Sequence, residues 1–135
     1  MTARILIVDD STFDRRMIRR AITATGNDLE VAELSHGAQA VEMIRRDKPC
    51  MTLLDIRMPG TDGFSVLSDI RSTAAISGSV VVMLSGSDQP LDHNMAQELG
   101  ADAYYVKPES AADYMELGRN ICDTHLPCLN GTVEP

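Results

Sequence analysis

Short runs of β-branched and aliphatic residues alternate along the chain with longer stretches whose apolar positions recur every three or four residues. The runs predict strands at residues 4–9, 29–34, 51–55, 79–84 and 103–106. Residues 5–8 and 80–84 are apolar throughout, as strands covered on both faces by helices must be. Between the strands, the helical period predicts helices at about 12–25, 38–46, a segment following Gly63, about 91–99 and about 111–124. Met17, Ile18, Ala21 and Ile22 form the inward stripe of the first helix, and Phe64, Val66, Leu67 and Ile70 that of the third. In the fifth, Tyr114, Met115, Gly118, Ile121 and Cys122 keep the inward spacing, which leaves Leu117 on another face. Five successive strand–helix units specify an α/β fold, a doubly wound five-stranded parallel sheet with five helices.

The length of 135 residues suits one domain with a real core. Residues 1–125 are expected to form it, and 126–135, with Pro127, Gly131 and Pro135, a tail too short to fold alone. A formal net charge of −8 argues against nucleic acid or an anionic membrane as partner and favours a basic protein or a cation. No apolar run approaches the roughly 20 residues of a membrane span, and the N-terminus lacks the apolar segment of a signal peptide, so a cytoplasmic location is expected. Cys50, Cys122 and Cys128 form no CxxC pair and are read as reduced thiols.

Ligands of open parallel sheets sit beyond the carboxyl ends of the strands. Asp9 and Asp10 follow the first strand, Asp55 the third, Ser85 the fourth and Lys107 the fifth, whereas the second runs into Ser35-His36-Gly37 without an acid. Carboxylates, a hydroxyl and an ammonium scattered over the chain are thereby brought to one edge. Neighbouring carboxylates repel unless a cation intervenes, and hard oxygen donors suit Mg²⁺, which keeps several waters and accepts a phosphate oxygen as a further ligand. With Lys107 and Mg²⁺ neutralising phosphoryl oxygens, an Asp55 oxygen could attack phosphorus in line and become an acyl phosphate.

The stretches "ILIVDDS", "LLDIRMPGTDG", "VVVMLSGS" and "GADAYYVKP" resemble, in order and spacing over residues 4–124, the receiver domain of two-component response regulators. The resemblance implies the flavodoxin-like receiver fold with strand order 2-1-3-4-5. It implies Asp55 as phosphoacceptor, Asp10, Asp55 and the Arg57 backbone carbonyl as direct Mg²⁺ ligands, and Asp9 as a ligand through water. Lys107 would contact the phosphoryl oxygens, and Ser85 and Tyr104 would be the switch pair. Arg57 and Ser87 would flank the phosphoryl group and govern access of water. Ser85-Gly86-Ser87 departs from a common Thr-Ala start, and Glu109 stands where an apolar residue is common. This pattern resembles single-domain regulators paired with bacterial phytochrome kinases.

The partners so implied are a histidine kinase or histidine phosphotransfer protein and a downstream protein target, with self-association as a homodimer through the fourth helix, fifth strand and fifth helix, near His93 and Leu117. Arg15, Arg16, Arg19 and Arg20 on the first helix offer a surface for the histidine-bearing partner. The function so implied is signalling rather than turnover of a substrate. The alternatives are a receiver-like interaction module or a phosphate sink without an output of its own. A phosphatase of the haloacid dehalogenase type would want a DxD at the first strand, and "VDDST" lacks it.

Overall fold

A computed structural model describes residues 3–26 and 28–126. The strands are β1 (Ala3–Val8), β2 (Leu29–Leu34), β3 (Met51–Leu54), β4 (Val81–Ser85) and β5 (Ala103–Val106). The helices are α1 (Thr12–Thr23), α2 (Ala40–Asp47), α3 (Gly63–Ser72), α4 (Pro90–Glu98) and α5 (Ala111–His125), with one short 3₁₀ turn at Ala74–Ile76. All strand pairs are parallel, in the order β2-β1-β3-β4-β5. The parallel five-stranded sheet is the one expected from the alternating pattern, and its doubly wound, flavodoxin-like order is the one implied by the receiver resemblance. The fourth strand lies later than its apolar run suggested, because Ser85 still pairs with Val106 while Ser79 and Val80 precede the ladder.

The period of two along β1 divides the core. Ile5 and Ile7 face one way and pack with Ile18 and Ile22 of α1 and Tyr114 and Ile121 of α5. Leu6 and Val8 face the other and pack with Ile44 of α2, Leu67 and Ile70 of α3, and Ala96 of α4. Leu117 belongs to the first of these clusters, half-buried against it, and not to a separate outward face. The correction has a geometric cause: α5 lies against both the sheet and α1, which widens its buried stripe. Gly118 permits that approach, since a Cβ there would come within 2.7 Å of the Ala21 Cβ.

The starts of α1, α3 and α5 are capped by side chains. Ser11 Oγ accepts from Asp14 N at 3.1 Å, Asp62 Oδ1 from Ser65 N at 3.0 Å and Ser110 Oγ from Asp113 N at 3.1 Å. Leu126, placed in the tail by its position after the fifth helix, is fully buried against the α1/α5 cluster; residues 127–135, including Cys128, lie outside the described residues. No helix among the described residues is long and apolar enough to cross a membrane.

Candidate functional site

The backbone ladder runs one residue past three strands, and each extra residue carries a site group. Asp9 N donates to Leu34 O at 3.0 Å, Asp55 N to Val8 O at 2.9 Å and Lys107 N to Ser85 O at 2.8 Å. The functional side chains are therefore fixed by sheet hydrogen bonds although they lie outside the regular strands. Behind Asp55 the chain doubles back tightly: Gly63 N donates to Ile56 O at 2.7 Å, and a Cβ on Gly63 would lie 2.0 Å from the Asp55 carbonyl oxygen. The intervening "MPG" turn bends through Gly60 at φ 82°, a left-handed conformation that glycine adopts without strain. The Met-Pro-Gly sequence after the third strand thus brings α3 directly beneath the carboxylate.

Asp9, Asp10 and Asp55 each offer an oxygen, all within 4.8 Å of one another. Asp9 and Asp55 are buried, whereas Asp10 stands exposed at the rim. Asp55 Oδ1 accepts from Ile56 N at 2.8 Å, and Asp55 Oδ2 accepts from Lys107 Nζ at 3.3 Å. Lys107 Nζ also lies 2.8 Å from Asp9 Oδ2 and 2.9 Å from Asp14 Oδ2. The contact to Asp9 Oδ2 is an ion pair that gives this buried oxygen its counter-charge.

Burial raises the pKa of Asp55, the Lys107 ammonium opposes that rise, and the Asp9 charge adds to it. Asp9 is also raised by burial, again against Lys107. Burial disfavours the charge on Lys107, but the surrounding carboxylates outweigh it and hold the ammonium protonated well above its ordinary range. Three hard carboxylate donors with oxygens within 4.8 Å of one another, two of the acids buried, fit a divalent cation such as Mg²⁺.

The other side of the site is built from hydrogen bonds of Ser85, Ser87 and Tyr104, anchored on the Arg57–Asp92 ion pair. Buried Ser85 Oγ accepts from Ser87 N at 3.2 Å, and Tyr104 OH donates to Ser87 O at 2.7 Å. Ser87 Oγ donates to Asp92 Oδ2, which also accepts from Arg57 Nη2 at 3.1 Å. His93 stacks on Tyr104 with ring centroids 4.0 Å apart. Ser85 and Tyr104, expected as a pair, are thus joined through the backbone of Ser87.

Sequence reasoning missed two acids. Asp14 holds Lys107 from the first turn of α1, where its position reads as a simple complement to the helix dipole. Asp92 ties Arg57 to Ser87 from α4, and neither its spacing nor its neighbours in sequence signal that role. The arginine surface is also smaller than expected. Arg15 and Arg19 turn back onto Glu33 at 3.0 and 2.6 Å, and Arg19 also bonds Val31 O, so that two of the four cations are engaged, although Arg19 stays exposed together with Arg16 and Arg20.

Residues 5–119 match the response regulator receiver domain family. The chain is 37% identical over 116 residues to the chemotaxis protein CheY of Bacillus subtilis (strain 168), covering 86% of this chain and 94% of CheY. It spans only 42–45% of the length of several longer curated relatives that it matches at 34–35% identity. Among solved structures, the Mn²⁺-bound form of response regulator Rcp1 has a TM-score of 0.83 at 25% identity, covering 98% of this chain and 99% of Rcp1. Response regulator RPA3017 in red light signaling of R. palustris has a TM-score of 0.80 at 28% identity, covering 89% of this chain and 91% of that one. With its strand order and the convergence of acids and lysine at the strand ends, the chain belongs to the response regulator receiver-domain family of two-component systems, CheY-like signalling proteins rather than enzymes in the ordinary sense.

Proposed function

We propose that this receiver accepts a phosphoryl group on Asp55 from a histidine kinase or histidine phosphotransfer protein in a Mg²⁺-dependent reaction, and signals by changing a protein-binding surface. The observation that carries the reading is the setting of Asp55. Its Oδ1 is held by a backbone amide, its Oδ2 faces the Lys107 ammonium, and acidic oxygens stand within 4.8 Å. Asp55 Oδ2 would attack phosphorus as the bond from phosphorus to the donor's nitrogen or oxygen breaks, leaving an acyl phosphate on the aspartate. Lys107 would neutralise a phosphoryl oxygen from the fifth strand, and Ser85 Oγ would donate to another after leaving Ser87 N. Asp9, Asp10, Asp55 and the Arg57 carbonyl would hold Mg²⁺, which when bound supplies charge neutralisation and orientation of the phosphoryl oxygens.

The switch would run through Ser87. Movement of Ser85 toward a phosphoryl group pulls on the segment whose carbonyl holds Tyr104, and so biases the ring stacked on His93. Leu91 and Met95, one turn apart on α4 and 79% and 44% exposed, lie with Val106 on the face that would change and would meet a target or a second copy. A cytoplasmic location goes with a histidine kinase as donor, and a phytochrome-type kinase is the first to try. Incubation with acetyl phosphate and Mg²⁺ should add roughly 80 Da, the mass of one phosphoryl group, in a hydroxylamine-labile linkage. Asp55→Asn should abolish it, and full labelling of that variant would refute the assignment.

A further inference from the structure

We propose that Asp14 is a positioning residue that keeps the Lys107 ammonium in the pocket when a divalent cation occupies the neighbouring carboxylates; the inference rests on the Mg²⁺ reading above. Lys107 Nζ is shared between Asp9 at 2.8 Å, Asp14 at 2.9 Å and Asp55 at 3.3 Å. Asp9 and Asp55 belong to the cluster that can hold a metal, and Asp14 does not. A divalent cation drawn to Asp9 and Asp55 neutralises these two partners of the lysine and repels it as well. Among the described residues, Asp14 is the carboxylate in contact with Lys107 that keeps its full negative charge under those conditions.

Asp14 is mounted on the first turn of α1 and braced from α5. Its backbone amide is capped by Ser11 Oγ, and its Oδ1 accepts from Tyr114 OH at 3.3 Å. Tyr114 is 4% exposed in α5, and α5 is pressed onto α1 at the close approach of Gly118 to Ala21. The carboxylate thus presents one oxygen to the lysine while α5 holds the other. Without that charge, Lys107 pairs fully with Asp9 and Asp55 and competes with the metal for them. That tighter pairing of the lysine weakens the metal.

The test is a double-mutant cycle read by Mg²⁺ binding to the whole chain, with no phosphodonor present. Asp14→Asn should weaken Mg²⁺ by about fivefold, the scale of one partly solvated charge-assisted contact, and Asp14→Glu should restore it to within about twofold. Lys107→Met alone should bind Mg²⁺ more tightly, because the competing ammonium is gone. In the Lys107→Met background, Asp14→Asn should cost less than about twofold, since its effect passes through the lysine. Equal weakening in both backgrounds, or no weakening in the parent, would overturn the role of Asp14 while leaving phosphorylation of Asp55 standing. No Mg²⁺ binding by the parent would overturn both. Asp14→Ala, run in parallel, gives the same comparison if the Asn variant folds poorly.

Discussion

Lys107 and Ser85 stand on adjacent strands and are joined by a backbone hydrogen bond of 2.8 Å, yet their side chains are held in unlike ways. Lys107 is 12% exposed and gripped by carboxylates from β1, α1 and β3. Ser85 is held by the amide of Ser87 in the loop before α4, which is tied in turn to Tyr104 and Asp92 by hydrogen bonds. Moving the ammonium means separating buried charges, whereas moving the serine side chain means exchanging one neutral hydrogen bond with the Ser87 amide. On the proposed function that contrast would let the lysine side fix the chemistry while the serine side shifts to report it.

The largest expected effect comes from breaking the charged side. Lys107→Ala leaves Asp9, Asp14 and Asp55 without their shared cation and should lower the stability of the metal-free protein by about 3 kcal/mol at pH 7. Urea denaturation would measure it, and added Mg²⁺ should recover most of the loss. A change below about 0.5 kcal/mol, the size of an ordinary surface substitution, would show that water rather than the lysine balances these acids, and the contrast would collapse.

Asp55→Asn should act in the opposite direction. Burial raises the Asp55 pKa above its ordinary value of 3.8, so the folded protein binds more protons there than the unfolded chain. Stability then falls as pH rises from 3.8 through the raised folded-state value, and a neutral amide escapes that loss. The variant should gain about 1 kcal/mol at pH 7, roughly 3 °C in Tm, with the gain fading at pH below the ordinary carboxylate range. Thermal melts in metal-free buffer at pH 3.5 and pH 7 would check it. A gain that persists undiminished at the lower pH would rule out the charge as its source.

Much of the charged side was legible in the sequence because it follows from one rule. Strands end in order, so Asp9, Asp55, Ser85 and Lys107 must meet, and their residue types name the chemistry. Asp14 escaped because it belongs to a helix face, where its partner depends on how α1 sits over the fifth strand, a distance in space that no spacing encodes. Leu117 was misplaced for a related reason: a helix packed against both a sheet and another helix buries more than one stripe. The arginines of α1 looked like one surface until Glu33 of the neighbouring strand claimed two of them. What was illegible, then, is the pairing of groups across elements, while the placement of each element's end was not.

On the serine side the effects should be smaller and should leave the metal alone. Asp92→Ala removes the acceptor that ties Ser87 Oγ and Arg57 to α4 and should cost about 0.7 kcal/mol, since the freed hydroxyl is part-exposed and regains water. Mg²⁺ affinity should change by less than about twofold, in contrast to the Asp14 variant. A shift in metal affinity as large as that of Asp14→Asn would mean that the two sides are coupled before any phosphoryl group arrives.

Arg57→Ala should have the smallest effect on the fold. Its guanidinium is 70% exposed against a partner that is 14% exposed, so the ion pair at 3.1 Å gains little from a low dielectric and is screened by salt. A cost of about 0.3 kcal/mol at low ionic strength, vanishing near 0.5 M NaCl, is the expected outcome by chemical denaturation. Kinetics should separate this residue from its stability effect. Arg57 stands two residues beyond Asp55 and is tied to Asp92, so its removal should open a path by which water reaches an acyl phosphate on Asp55. Hydrolysis of the phosphorylated form should accelerate severalfold while the fold is almost unchanged. A lifetime that stays constant in Arg57→Ala but shortens in Ser87→Ala would place the control of water on the serine hub, and the arginine would be left as a solvated charge on the rim.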